Sequence, residues 1–377
     1  MLKYPDDWQE LTLGDLGEVL MCRRIFQDQT KPSGQIPFYK IGTFGGKADA
    51  YITRELYETY KAAYPYPRIG DILISAAGTI GRTLVFDGND SYFQDSNIVW
   101  LNTDETQVDS NFLRLFYQSY PWVNLEGTTI QRLYNSIILN TPIHLPSLSE
   151  QKEISETLTV FDTHIANLTE LIEKKKAIRE GALEDLVSGK TRLSGFTDKW
   201  KEMQLGKIRK TKRGKRLVRS QLQQEQRVDS YPVFQNSLEP LGFYNEYSCP
   251  AGSVYVIAAG NAGDIGYSEI AFWAADDCYY YEQSNDINQK YLYYYLLFNQ
   301  KSLSEQTRRT SIPRLSRDIL DNLIIQLPKV DEQEAIAQIL TDMDNEIHSL
   351  EDECDKIKQI REGAMDDLLT GKVRLTD

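Results

Sequence analysis

Ile154, Leu158, Phe161, Ile165, Leu168 and Ile172 recur in alternating steps of four and three, and Ile336, Leu340, Met343, Ile347, Leu350 and Cys354 repeat the pattern 182 positions later. Such spacing places a narrow apolar seam along one side of a helix, which is how a helix pairs with another helix. Pro146 and Pro328 precede the two stretches, Ser149 and Asp331 stand where N-caps belong, and Asp331 with Glu334 fits a capping box. Gly189 and Gly371 follow the last apolar residues, as C′ glycines would. The pattern predicts two helices of about 38 residues, each roughly 57 Å long at 1.5 Å per residue. They are expected to run antiparallel, because the chain leaves along the first, builds a domain and returns along the second. Gly181 and Gly363 interrupt these helices at a cost of about 1 kcal/mol each; close backbone approach and fraying near the helix end both account for them.

The repeat reaches beyond the helices. Gly70-Asp71-Ile72-Leu73-Ile74-Ser75-Ala76-Ala77-Gly78 returns as Gly252-Ser253-Val254-Tyr255-Val256-Ile257-Ala258-Ala259-Gly260, a short apolar strand between glycine turns. Thr128-Thr129-Ile130-Gln131-Arg132 returns as Thr310-Ser311-Ile312-Pro313-Arg314 at the same distance, whereas Trp8 and Trp200 are 192 apart. The helical segments are alike and the β segments have diverged in length and identity. The expected class is α+β, two domains of mixed α/β character (1–144 and 194–326) joined by two long antiparallel coiled-coil helices (145–193 and 327–377). The arrangement is also nearly circular. Arg192-Leu193-Ser194 leads into Asp198-Lys199-Trp200, just as Arg374-Leu375-Thr376 would lead into Asp6-Asp7-Trp8.

Composition narrows the function. An apolar fraction of 41% suits a folded protein of several domains, and the lack of a long apolar run or leader points to the cytoplasm. The four cysteines and three histidines form no ligand spacing, so reduced thiols and no metal are expected. The net charge of −13 argues at first against nucleic acid. It is unevenly placed, with the acid excess concentrated in 327–377. Between Lys207 and Arg219 the chain is strongly basic, and Lys212, Arg213, Lys215 and Arg216 are candidates to grip phosphates. A solvated basic loop is the competing account.

Motifs for catalysis fail on inspection. Gly189-Lys190-Thr191 lacks the earlier glycine of a phosphate loop, and Asn140-Thr141-Pro142-Ile143 lacks the second proline and the aromatic of an amino-methyltransferase motif. Glu150-Gln151 and Glu332-Gln333 read as first-turn residues complementing the helix dipole. Polar residues beside glycine turns suit binding to a groove. The candidates are Arg82, Thr128, Thr129, Gln131 and Arg132 in the first copy and Arg308, Arg309, Thr310 and Arg314 in the second. Gly263-Asp264-Ile265-Gly266 echoes the Arg82 loop in an ambiguous register. Tyr279 to Tyr281 and Tyr291 to Tyr295 align with an amphipathic run and read as core.

Leu-Pro-x-Leu/Val-x-Glu-Gln opening a long helix, Leu-x-x-Gly-Lys-x-Arg-Leu closing it, Gly-Asp-Ile-Leu-Ile-Ser before a glycine turn, and the whole in duplicate resemble the specificity subunit of type I restriction-modification enzymes. The resemblance covers essentially the full chain. It implies two target-recognition domains, each reading half of a bipartite asymmetric site in double-stranded DNA, with the helices fixing the gap. It implies two modification (methyltransferase) subunits as partners and restriction subunits that translocate and cut. It further implies that this chain is non-catalytic and binds no cofactor, S-adenosylmethionine belonging to the modification subunit and ATP and Mg to the restriction subunit. Lys175 in place of an apolar residue, where the second copy has Ile357, and Pro313 opposite Gln131 are departures between the copies. The alternative is a protein-binding scaffold with duplicated β domains.

Overall fold

In the computed structural model, which describes residues 4–122, 132–307 and 313–375, the predicted apolar strand Ile72–Ser75 lies inside a four-stranded antiparallel sheet. The strand order is Gly17–Leu20, Ile98–Thr103, Ile72–Ser75, Thr83–Val85. Its side chains alternate between two cores. Ile72, Ile74, Val99 and Leu101 face one, with Phe112 and Leu158, while Leu73, Ile98 and Trp100 face the other, with Phe38 and Tyr92. Burial on both faces explains why the strand reads as an unbroken apolar run. The second copy repeats this with Lys212–Arg213, Cys278–Tyr280, Ser253–Ile257 and Ile265–Ser268, sending Val254 and Val256 one way and Tyr255 and Ile257 the other. Each copy also holds a three-stranded sheet and a two-stranded pair, Gln9–Thr12 with Pro142–Leu145 and Lys201–Gln204 with Ile324–Leu327, immediately ahead of its long helix.

The long helices are Leu148–Val187 and Val330–Leu369, 40 residues each. Gly189 and Gly371 close them at φ +73° and +68°. The N-terminal expectation is corrected by one turn position. Ser147 Oγ accepts from Glu150 N at 3.3 Å, and Ser149 and Asp331 lie inside the first turn, so Asp331 is not the cap of a capping box. Gly181 and Gly363 are exposed, with nothing near the position of a Cβ. Close backbone approach within their surroundings is therefore not their reason, and the helices run on through both to Val187 and Leu369 without fraying there.

The chain divides into two compact units, Met1–Asn167 with Cys354–Asp377, and Leu168–Glu353. The division falls within the long helices rather than at their ends, because each half-helix packs on its own domain. In the first unit Ile154, Leu158 and Phe161 pack with Phe112, Leu115, Met365 and Leu368. In the second, Ile336, Leu340 and Met343 pack with Leu183, Leu186, Tyr291 and Tyr295. The seam is thus only partly a helix–helix contact, since a short helix of the domain takes much of it. Its remaining members Ile165, Leu168, Ile172, Ile347, Leu350 and Cys354 are buried or half-buried. In both units the helical segments are antiparallel. Arg361 donates to Asp162 at 2.8 Å, and beyond the helix end Arg374 reaches Glu150. In the second unit Arg179 donates to Asp344 at 2.7 Å and Arg192 reaches Glu332. These are the same pairs with the copies exchanged.

Glu150, Gln151, Glu332 and Gln333 stand in the first turns of the long helices, as expected, and are buried there. Gln151 Oε1 accepts from Asp109 N at 2.8 Å, while Asp109 caps the helix Ser110–Ser119; Gln333 accepts from Asn288 N at 2.8 Å, while Asn288 caps Gln289–Glu305. Glu150 receives Arg374, which also donates to Asp7 at 3.0 Å, and Glu332 receives Arg192 and Trp200 Nε1. A buried carboxylate held by a bidentate arginine joins the start of each long helix to the segment that follows the other.

Candidate nucleic-acid interface

The glycine loop after the central strand starts the site. Gly78 and Gly81 have φ of +66° and +82°, and a Cβ at Gly81 would strike the Trp122 indole. Ser75 Oγ donates to Thr79 O at 2.5 Å and accepts from Arg82 N at 2.9 Å, so the loop is held from beneath. Arg82 is exposed, but its guanidinium folds back to donate to Phe44 O and lies over the Phe44 ring at 5.8 Å. The strand pairings settle the register left open by the sequence. Ile74 faces Thr83 and Val256 faces Ile265, which puts Asp264 opposite Arg82. This arginine is not duplicated; an acid stands in its place.

Arg132 and Arg314 are duplicated in place. Arg132 bridges Ala77 and Arg314 bridges Ala259 through the backbone, beside the two glycine loops. Arg132 Nη2 donates to Ser96 O at 3.0 Å and is half-buried. Arg314 is exposed, with Nη1 3.9 Å from Asp277 Oδ1. Thr128, Thr129, Gln131, Arg308, Arg309 and Thr310 lie outside the described residues.

The basic run is anchored by its backbone and exposed at its side chains. Lys212 and Arg213 pair with Tyr280 and Tyr279. Gly214 sits so close to the carbonyls of Ala274 and Ala275 that no Cβ fits. Trp273 Nε1 donates to Lys215 O at 2.9 Å. Lys212, Arg213, Lys215 and Arg216 are all exposed. Lys212 pairs with Glu282 at 3.0 Å, and Arg213 donates to Asp276 O at 2.6 Å and lies 3.8 Å from Asp277. Arg213 and Arg314, distant in sequence, therefore meet at one carboxylate.

The first unit has a counterpart that the sequence reading missed. Arg23 and Arg24 follow the strand Gly17–Leu20 and are exposed. Arg24 Nε lies 3.3 Å from Asp95 Oδ2, next to the Ser96 carbonyl that holds Arg132. The 192-residue offset that matches Trp8 to Trp200 also matches Arg23 and Arg24 to Lys215 and Arg216, and would have found them. The tyrosine runs are core in part: Tyr281, Tyr291, Tyr294 and Tyr295 are buried, while Tyr279, Tyr280 and Tyr293 are half-buried.

Among the described residues no group of His, Cys, Asp and Glu could hold a metal. None of the four cysteines forms a disulfide and all are buried, and burial pushes the Cys22 and Cys249 thiols up to about 12. Among those residues, too, no helix is long and apolar enough to cross a membrane.

A family model described as the type I restriction modification DNA specificity domain matches residues 5–177 and again 197–359. The chain belongs to this family. A Haemophilus influenzae protein named as a candidate type I restriction enzyme specificity subunit is 56% identical over 160 residues, 42% of either chain. A type I restriction enzyme specificity subunit of Methanocaldococcus jannaschii is 23% identical over 99% of this chain and 95% of its own. The crystal structure of a type I restriction-modification S subunit from M. genitalium superposes with a TM-score of 0.67 at 22% identity, covering 97% of this chain and 98% of that one. That likeness shows the fold. The two matches of the specificity domain each contain one glycine loop and one of the arginines Arg132 and Arg314.

Proposed function

We propose that this chain is the DNA-reading, non-catalytic subunit of a type I restriction-modification complex in the cytoplasm. Each specificity domain reads one half of a bipartite site, and the long helices set the number of unread base pairs between the halves. The observation that carries this reading is the pairing of Arg132 on Ala77 with Arg314 on Ala259, one arginine per domain at the same place beside a glycine loop. Arginine is the side chain best suited to read guanine edges in the major groove. The exposed cations at 23–24 and 212–216 would supply phosphate contacts that position the duplex without reading it. Two modification subunits, holding S-adenosylmethionine, would dock on the helices; restriction subunits would bring ATP and Mg.

The test is to assemble the chain with its modification subunits and select bound duplexes from a pool randomised in both halves. Arg132→Ala and Arg314→Ala are expected to relax different halves, each losing about 1–3 kcal/mol at the affected position. Equal weakening on every sequence would mean that these arginines touch only phosphates.

A further inference from the structure

Of the acids that stand beside the cations of this surface, Asp277 is one that faces two arginines. Asp277 is half-buried, its backbone is fixed by Ala258 N donating to its carbonyl at 2.7 Å, and its carboxylate lies 3.8 Å from Arg213 and 3.9 Å from Arg314. Both arginines are more than half exposed, and both separations are longer than a tight ion pair. A carboxylate at this position repels a phosphate backbone and occupies the two side chains best placed to meet DNA. It therefore weakens every duplex, and most of all those that offer the arginines nothing better than phosphate.

We propose that Asp277 is a specificity-determining residue of the second domain, a placeholder that holds Arg213 and Arg314 until a matched half-site displaces it. This rests on the DNA-reading function proposed above. Non-specific binding is almost wholly electrostatic, so an acid in the interface suppresses it more than it suppresses binding that gains base contacts. The first unit carries a weaker version. Asp95 holds Arg24 at 3.3 Å, but Arg132 is held by the neutral Ser96 carbonyl, so one arginine there is occupied by an acid instead of two.

The experiment uses the chain assembled with its modification subunits and compares Asp277→Asn with the unaltered protein on three duplexes: matched, mismatched in the second half, and unrelated. Asp277→Asn is expected to bind the unrelated duplex about three- to tenfold more tightly, with a steeper dependence on salt. Discrimination at the second half-site should fall by a similar factor while that at the first is unchanged, and Asp277→Glu should restore it. An unchanged discrimination ratio would overturn the proposal. So would a uniform loss of affinity with a lower melting temperature, which marks a merely structural role. Should the unaltered complex itself show no sequence preference, the functional reading falls and takes this proposal with it; the two failures are told apart by that control.

Discussion

In the first unit Arg361 reaches Asp162 at 2.8 Å and in the second Arg179 reaches Asp344 at 2.7 Å, while Gln151 and Gln333 accept from the caps of their short helices at the same 2.8 Å. At the candidate DNA surface the units part company. One presents Arg82 where the other has Asp264, and one binds Arg132 to a carbonyl where the other leaves Arg314 beside a carboxylate. The joints around each long helix recur with the same partners, and the side chains that would meet a ligand differ. A duplicated scaffold can thus carry two different readers.

The arginine clasps offer the largest break in this comparison. Among the described residues the Glu150 carboxylate is held by Arg374 alone, whereas that of Glu332 is held by both Arg192 and the Trp200 indole; the Trp8 indole nitrogen of the first unit is buried without a partner among them. Arg374→Ala is therefore expected to lower the unfolding midpoint of the first unit by several degrees, and Arg192→Ala that of the second by less, because an uncompensated buried carboxylate is left in one case and a partly satisfied one in the other. Unit-resolved hydrogen exchange distinguishes them. The effect should fade in acid. The Arg374 hydrogen bond holds Asp7 below the usual carboxylate range, so its stabilisation is present above the unfolded pKa of about 4 and is lost as pH falls through the lower folded value.

Gln151→Ala and Gln333→Ala each strand a cap nitrogen and a proline carbonyl in a buried site, which should cost about 1–3 kcal/mol. Denaturant titrations should give the same cost in both units; a clear inequality would show that the two joints are not equivalent. The Arg361–Asp162 and Arg179–Asp344 pairs are half-exposed, so double-mutant cycles should return equal couplings of only about 0.5–1 kcal/mol. Last, Gly181→Ala and Gly363→Ala should each raise stability by about 0.5–1 kcal/mol, since neither glycine meets anything that a methyl group would displace.

The long helices were legible because an apolar seam, capping signals and closing glycines all report on local geometry. The central strands were legible because burial on both faces leaves an unbroken apolar run. The buried Glu-Gln pairs were not. Their partners lie as far away as Arg374 from Glu150, and an isolated helix start gives no sign that its first carboxylate will be enclosed. Asp277 was hidden for a related reason: the register between the copies slips just before the strand Cys278–Tyr280, and an acid attracts no attention in a chain with 55 of them. Arg132 and Arg314 stood out as candidates because the repeat itself singled them out, and they occupy equivalent places in the two units.

The way Arg374 closes the first unit also sets an order of events during synthesis. Leu168–Glu353 is a single stretch of chain, so every residue of the second unit is joined before the closing segment of the first is made. Domains fold as units once their residues are available. The sequence of the second unit is therefore complete before that of the first, and Trp8, Asp7 and Glu150 wait, unclasped, for an arginine that arrives more than two hundred residues after them. A released chain ending at residue 353 would hold all of the second unit and only an open first one, with Leu158 and Phe161 lacking the Met365 and Leu368 that cover them in the finished protein.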